Sequence, residues 1–294
     1  MVHSSCICYC LRGGFEIKDL LSVEKLNFSW GINHVLKDVT FKLGENQIVS
    51  LLGKNGAGKS TLIKCLNRIL SPQSGVIKVN DNDIKDIDLV QLSKLMSYVP
   101  QSVRTNFSMD VFDVILLGRR PHIRWRISPQ DRDKVSEAIR YLGLEEFSFR
   151  KFDEISGGER QRVIIAKAVV QDPELYLFDE PTSDLDLNAQ IQIMKRIRQL
   201  VSVGNTSKSA LIAIHDINIA ARFSDKIILL HDGGIKAYGT PEEVLTEQNI
   251  AEVFGVSCEL IKATEHSPLR ILINDEIIKI DNADDQEVDD NEQW

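Results

Sequence analysis

Residues Gly53-Lys54-Asn55-Gly56-Ala57-Gly58-Lys59-Ser60-Thr61 fit the spacing G-x-x-x-x-G-K-[ST], and the chemistry which that spacing supports is phosphate binding. Glycines at 53, 56 and 58 let the backbone curl until its N–H groups point inward. A helix starting near Lys59 adds its positive N-terminal dipole, so the loop becomes a nest for anionic phosphate. Lys59 supplies a point charge for the β- and γ-phosphates, and the Ser60 hydroxyl a ligand for Mg²⁺. A Gly-rich turn that binds nothing is the alternative. The apolar run 48–52 just before the loop reads as a buried strand, and strand, loop and helix together favour a nucleoside triphosphate site.

Other residues suit the same substrate. The strand-like run 175–179 ends in Asp179, placed to hold Mg²⁺ through water, and in Glu180, placed to polarise a water against the γ-phosphate. A plain strand-to-loop boundary is the bland reading. Gln101 follows a short strand at 97–100 and either contacts Mg²⁺ and the attacking water or is a solvated loop amide. Ser156-Gly157-Gly158-Glu159 reads as an S-x-x-E capping box, yet two glycines in the first turn weaken a helix by about 1 kcal/mol each relative to alanine. A helix N-terminus with bare N–H groups and a serine hydroxyl is a second phosphate site, approached from another direction. Trp30, in a predicted loop, either stacks on adenine or packs within a hairpin. His215 follows the apolar strand 210–214, where a core-edge hydrogen bonder is equally common.

These residues need elements to hold them. The chain has 294 residues, 43% hydrophobic and 27% charged, enough for a sizeable core in one large or two small domains. No apolar run is long enough to span a bilayer and the start lacks a signal-peptide pattern, so a cytoplasmic location is expected. The net charge of −8 is concentrated in the last fourteen residues, which carry seven acids and no cation and leave −1 elsewhere. That balance argues against general nucleic-acid binding. Residues 1–18 read as a disordered leader, in which Cys6, Cys8 and Cys10 hold a soft metal in an extended strand or are free thiols. Cys65 and Cys258 read as buried small residues.

In chain order, strands are expected at 21–28 and 39–43, a helix from 59 to about 70, a strand at 76–79 and a helix at 89–96. A helical insertion at about 102–172 contains the helix start Ser128-Pro129-Gln130-Asp131. It also contains a patch of Arg119, Arg120, His122, Arg124, Trp125 and Arg126, either a docking face or a solvated cluster. A hairpin is expected around Asp232-Gly233-Gly234, a small β appendage at 257–280 and an acidic disordered tail at 281–294.

Trp30, residues 53–61, Gln101, residues 156–161, Phe178-Asp179-Glu180, Ser183-Asp184-Leu185-Asp186 and His215 stand in an order that resembles the ATP-binding subunit of ABC transporters over about residues 19–256. The resemblance implies an α/β phosphate-loop NTPase fold: a RecA-like core with an antiparallel β subdomain and an α-helical subdomain. It implies ATP and Mg²⁺ as cofactors, and a second copy facing head to tail, with ATP between the phosphate loop of one copy and Ser156-Gly157-Gly158 of the other. By the same resemblance Trp30 stacks on adenine, Gln101 senses the γ-phosphate and couples to membrane permease subunits, Glu180 is the base and His215 the γ-phosphate switch. Asp184 stands where the family commonly has alanine. Residues 97–101, 111–114, 118–121 and 152–158 are similar to the importers of iron(III)-siderophores, cobalamin and haem, which implies a substrate-binding protein as an indirect partner and a place on the cytoplasmic membrane face. An exporter ATPase and an iron-sulfur assembly ATPase are the alternatives.

Overall fold

The computed structural model describes residues 19–102, 108–183, 185–202, 207–264 and 267–277. The leader cysteines, Asp184 and the acidic tail lie outside them. The chain opens with a hairpin of β1 (Asp19–Trp30) and β2 (Asn33–Gly44), followed by β3 (Ile48–Leu52) and α1 (Lys59–Leu66). Next come β4 (Ser74–Val79), β5 (Asn82–Asp83), α2 (Leu89–Leu95) and β6 (Met96–Val99). A helical block of α3 (Val111–Leu116), α4 (Pro129–Leu142) and α5 (Gly157–Val170) precedes β7 (Leu175–Asp179), α6 (Leu187–Ser202), β8 (Ser209–Ala213) and α7 (Ile217–Phe223). The chain continues through β9 (Lys226–His231), β10 (Gly234–Gly239), α8 (Pro241–Val244) and α9 (Glu247–Phe254) to a hairpin of β11 (Val256–Ile261) and β12 (Arg270–Glu276).

The central sheet has the order β10-β9-β3-β8-β7-β6, parallel except for β10. Its inner strands β3, β7 and β8 are buried at every position because both faces are covered. Along β3, Ile48 and Leu52 pack into the core shared with the helical block, while Val49 and Leu51 face the core shared with α1 and the antiparallel sheet β2-β1-β4-β5. Since β6, β7, β8 and β3 run in parallel, the residues leaving their C-terminal ends, Gln101, Glu180, His215 and Gly53, gather along one edge. In open parallel sheets that edge is where ligands bind.

Turn chemistry matches the backbone. Asp232 and Gly233 have φ of 48° and 85°, the two positive values of a type I′ hairpin turn. α4 begins at the predicted helix start with a capping box, Asp131 N donating to Ser128 Oγ at 3.2 Å and Ser128 N to Asp131 Oδ2 at 3.0 Å. Cys65 and Cys258 are buried and free.

Three local expectations differ. Trp30 is the last residue of β1, paired with Asn33, and not a loop residue, because the two-residue turn Gly31-Ile32 keeps the ladder intact up to it. α1 stops at Leu66 instead of about 70, because Arg68 takes φ 55° and donates Nη1 to the carbonyls of Ile84 (2.8 Å) and Ile87 (2.5 Å). The basic patch loses two members: Arg119 is buried and paired to Asp131 at 3.0 Å, also donating to Val170 O at 2.8 Å, and His122 Nε2 is bonded to Gln171 O. Arg120, Arg124 and Arg126 remain exposed, as does Trp125. The helical block is tightly clasped: a Cβ on Gly118 would lie 2.1 Å from Lys167 O, so α5 passes directly over the turn that ends α3.

Candidate active site

The phosphate loop bridges β3 and α1 with no slack. Gly53 (φ 152°) and Gly58 (φ 101°) occupy conformations that L side chains rarely adopt. A Cβ on Gly53 would meet Leu230 O at 2.6 Å, and one on Gly58 would meet Leu36 Cδ2 at 2.8 Å. Gly58 is also the N-cap of α1 and brings no side-chain acceptor, which leaves the first N–H groups of the helix for an external anion. Lys59 is 4% exposed, and its Nζ donates to Gly53 O at 2.8 Å and Lys54 O at 3.2 Å. Burial pushes this ammonium below its ordinary range, while Glu180 and Asp179 pull it back up.

Asp179 is 2% exposed at the tip of β7. Its Oδ1 accepts from Ser60 Oγ at 2.7 Å and its Oδ2 from Tyr98 Oη at 3.3 Å. Glu180, the next residue, sits at φ 53°, a left-handed conformation that costs a non-glycine residue about 1 kcal/mol or more. That turn takes its carboxylate off the strand axis. Gln101 Nε2 donates to one carboxylate oxygen at 2.6 Å and His215 Nε2 contacts the other. Gln101, Glu180 and His215, separated widely in sequence, thus form one hydrogen-bonded cluster.

Trp30, Val35, Asn55, Gly56, Gly58, Lys59, Ser60, Thr61, Gln101, Glu180 and His215 line one open cleft of about 480 Å³. Trp30 is 56% exposed there, yet its ring also meets Phe28 edge-to-face, with centroids 5.0 Å apart. Trp30 thus packs within the hairpin, and the exposed remainder of its ring lines the cleft. Lys54 is exposed on the loop, while Gly53 is buried beneath it and Ala57 half-buried.

Ser156, Gly157 and Gly158 are not brought to this cleft. Ser156 and Gly158 line a second one of about 360 Å³ with Arg162, Leu185, Asp186 and Arg196, and the two clefts share no residue. The Ser156 capping box is intact: Glu159 Oε2 accepts from Ser156 N at 2.7 Å, which holds its carboxyl below the usual range. A Cβ on Gly157 would meet nothing within 4 Å, so nothing among the described residues requires glycine there.

Val35 and Tyr98 were not picked out by the sequence reading. Tyr98 lies on β6 three residues before Gln101, inside the importer-like segment 97–101, where the sequence reading gave it no role of its own.

Comparison with known proteins gives these features a context. The family model described as ABC transporter matches residues 36–183. An ABC transporter ATP-binding protein of Methanocaldococcus jannaschii is 44% identical over 237 residues, covering 81% of this chain and 92% of its own length. A petrobactin import ATP-binding protein of Bacillus subtilis is 32% identical over 238 residues, covering 81% and 94%. Among solved structures, a chain from a metal-chelate type ABC transporter in an inward-facing conformation superposes with a TM-score of 0.75 at 28% identity, covering 87% of this chain and 97% of that one. The chain therefore belongs to the ABC transporter family, as an ATP-binding subunit and an ATPase.

Proposed function

We propose that this ATPase works as a head-to-tail dimer that closes around two ATP molecules beneath a membrane permease and drives import of a metal chelate. The observation that carries the reading is the division of phosphate-binding features between two clefts with no common residue. One copy holds the phosphate loop and the carboxylates, and its neighbour supplies Ser156, Gly157 and Gly158. The open space over Gly157 supports this, because a glycine that weakens a helix start without a reason among the described residues suits a surface another backbone must approach.

Within the site, Trp30 stacks on adenine, and residues 53–61 wrap the phosphates with their N–H groups while Lys59 turns its ammonium from the loop carbonyls to them. Glu180 accepts the proton of the attacking water, oriented by Gln101. His215 donates to the γ-phosphate and, through its contact with Glu180, registers whether that phosphate is present. The donors Ser60 Oγ and Asp179 Oδ1, 2.7 Å apart, with the Gln101 amide oxygen are hard oxygens that fit Mg²⁺. The metal, when bound, neutralises charge on the phosphate oxygens.

Import is favoured by the petrobactin import relative and by the segments at 97–101, 111–114, 118–121 and 152–158. The cargo group is iron(III)-siderophore, cobalamin or haem, delivered by a substrate-binding protein, and the chain operates at the cytoplasmic face, held there by the permease. No helix among the described residues is long and apolar enough to cross a membrane.

Gly157→Ala tests the dimer. The added methyl fits the free chain and improves the helix start by up to about 1 kcal/mol, so thermal stability is kept or raised. ATP-dependent dimerisation, followed by light scattering, and ATPase activity are both lost. A variant that still dimerises and hydrolyses ATP normally refutes the shared site. Reconstitution with the co-purified permease in vesicles, offered siderophore, cobalamin and haem in turn, tests the cargo.

A further inference from the structure

We propose that Tyr98 is a positioning residue for the metal-holding carboxylate, fixing the plane of Asp179 through Oδ2 while Ser60 holds Oδ1. The inference rests on the assignment of Asp179 to the metal. Among the described residues, Asp179 accepts from two side chains, Ser60 Oγ on Oδ1 and Tyr98 Oη on Oδ2. A carboxylate that is 2% exposed needs such donors, because burial without them disfavours its charged form. A hydroxyl that ligated Mg²⁺ through a lone pair would keep its O–H, so Ser60 would still donate to Oδ1. Tyr98 would be the donor that does not itself touch the metal, and together the two bonds keep the carboxylate from rotating about its last bond.

The sheet makes this arrangement rigid. Tyr98 pairs with Leu177 in the parallel register of β6 with β7, and Asp179 lies two residues further along β7, so both side chains project from the same face of adjacent strands. A phenol is protonated at neutral pH and a carboxylate has no proton to give, so the hydroxyl acts on Asp179 as a donor. A contrast within the same sheet shows that this bond is not simply what every buried tyrosine makes. Tyr176, on β7, has a buried hydroxyl with no partner among the described residues. In metal sites, removing an outer partner of a ligand typically costs roughly 10–100-fold in metal affinity, and the 3.3 Å contact places Tyr98 near the lower end.

The test is Mn²⁺ binding, read by electron paramagnetic resonance in the presence of ADP, for the wild type, Tyr98→Phe and Asp179→Asn. Tyr98→Phe keeps the ring and its packing and deletes the hydroxyl; a thermal melt checks that the fold is unchanged. We expect its Mn²⁺ affinity to fall about tenfold, while binding of a fluorescent ATP analogue in EDTA stays at the wild-type value. Three results overturn the proposal. Wild-type Mn²⁺ affinity in Tyr98→Phe beside an impaired Asp179→Asn removes Tyr98 alone. Wild-type affinity in Asp179→Asn removes the metal assignment and with it the role of Tyr98. Equal losses with and without metal in Tyr98→Phe make the hydroxyl a general structural support.

Discussion

Replacing Glu180 by glutamine separates binding from cleavage. The side chain is 9% exposed, and an amide of equal size leaves the left-handed backbone of residue 180 and the surrounding packing as they are. Both carboxylate oxygens of Glu180 have contacts, Gln101 Nε2 on one and His215 Nε2 on the other, whereas an amide accepts through a single oxygen. One of these contacts is lost, at a cost of about 1 kcal/mol, which the fold tolerates. Catalysis is hit harder. A positioned general base contributes about 10²- to 10⁴-fold, equivalent to about 3–5 kcal/mol of barrier. Removing a negative charge from beside the triphosphate site also leaves nucleotide affinity undiminished or improved. Single-turnover hydrolysis of labelled ATP therefore slows by at least a hundredfold while ATP-bound dimers accumulate on size exclusion. Hydrolysis by Glu180→Gln within about threefold of the wild-type rate refutes Glu180 as the base, because a loss that small is under 1 kcal/mol and fits a peripheral contact.

Lys59→Ala fails earlier in the cycle. Deleting a charge-assisted contact to the phosphates costs about 2 kcal/mol, so a fluorescent nucleotide binds about thirtyfold more weakly in equilibrium titration. Stability in acid depends on Asp131. The Ser128 hydroxyl first, then the Ser128 backbone N–H and Arg119, hold this carboxyl down to about 2, below the ordinary carboxylate range, against the opposing effect of burial. A depressed folded value means that the stabilisation, about 2 kcal/mol, is complete above the unfolded value and disappears as pH falls from about 4 towards 2. Urea unfolding of the wild type and Asp131→Asn accordingly differs clearly at pH 6 and converges near pH 2; a constant difference between those pH values contradicts the linkage.

The phosphate loop was legible in the sequence because its requirements are local: Gly53 and Gly58 are needed where the backbone turns left-handed and neighbouring atoms leave no room for a Cβ. The capping boxes of α4 and α5 were legible for the same reason, each being written within four consecutive residues. Asp179 and Glu180 were visible as the end of a fully apolar strand. What could not be read is lateral order. Nothing in residues 48–52 says that β8 and β9 flank β3, so the meeting of Gln101, Glu180 and His215 could be inferred by resemblance but not by periodicity. Arg119 was misread as a surface charge because its neighbours in sequence are exposed arginines, while its partner Asp131 lies twelve residues on. Tyr98 was given no role of its own because its partner Asp179 lies on a neighbouring strand, 81 residues away in sequence.

The close approach at Gly118 has a mechanical side. With no side chain to act as a spacer, the turn after α3 lies against the backbone of α5, and Arg119 ties the same turn to α4 through Asp131 and to the end of α5 through Val170 O. Three short helices so joined tilt as one piece and do not slip past each other. α5, with 14 residues at about 1.5 Å each, is then an arm about 21 Å long with Ser156 at its tip. A small rotation where the arm is clamped becomes a displacement of several ångströms at the tip, and one extra methyl group at position 118 is a shim large enough to throw it out of alignment.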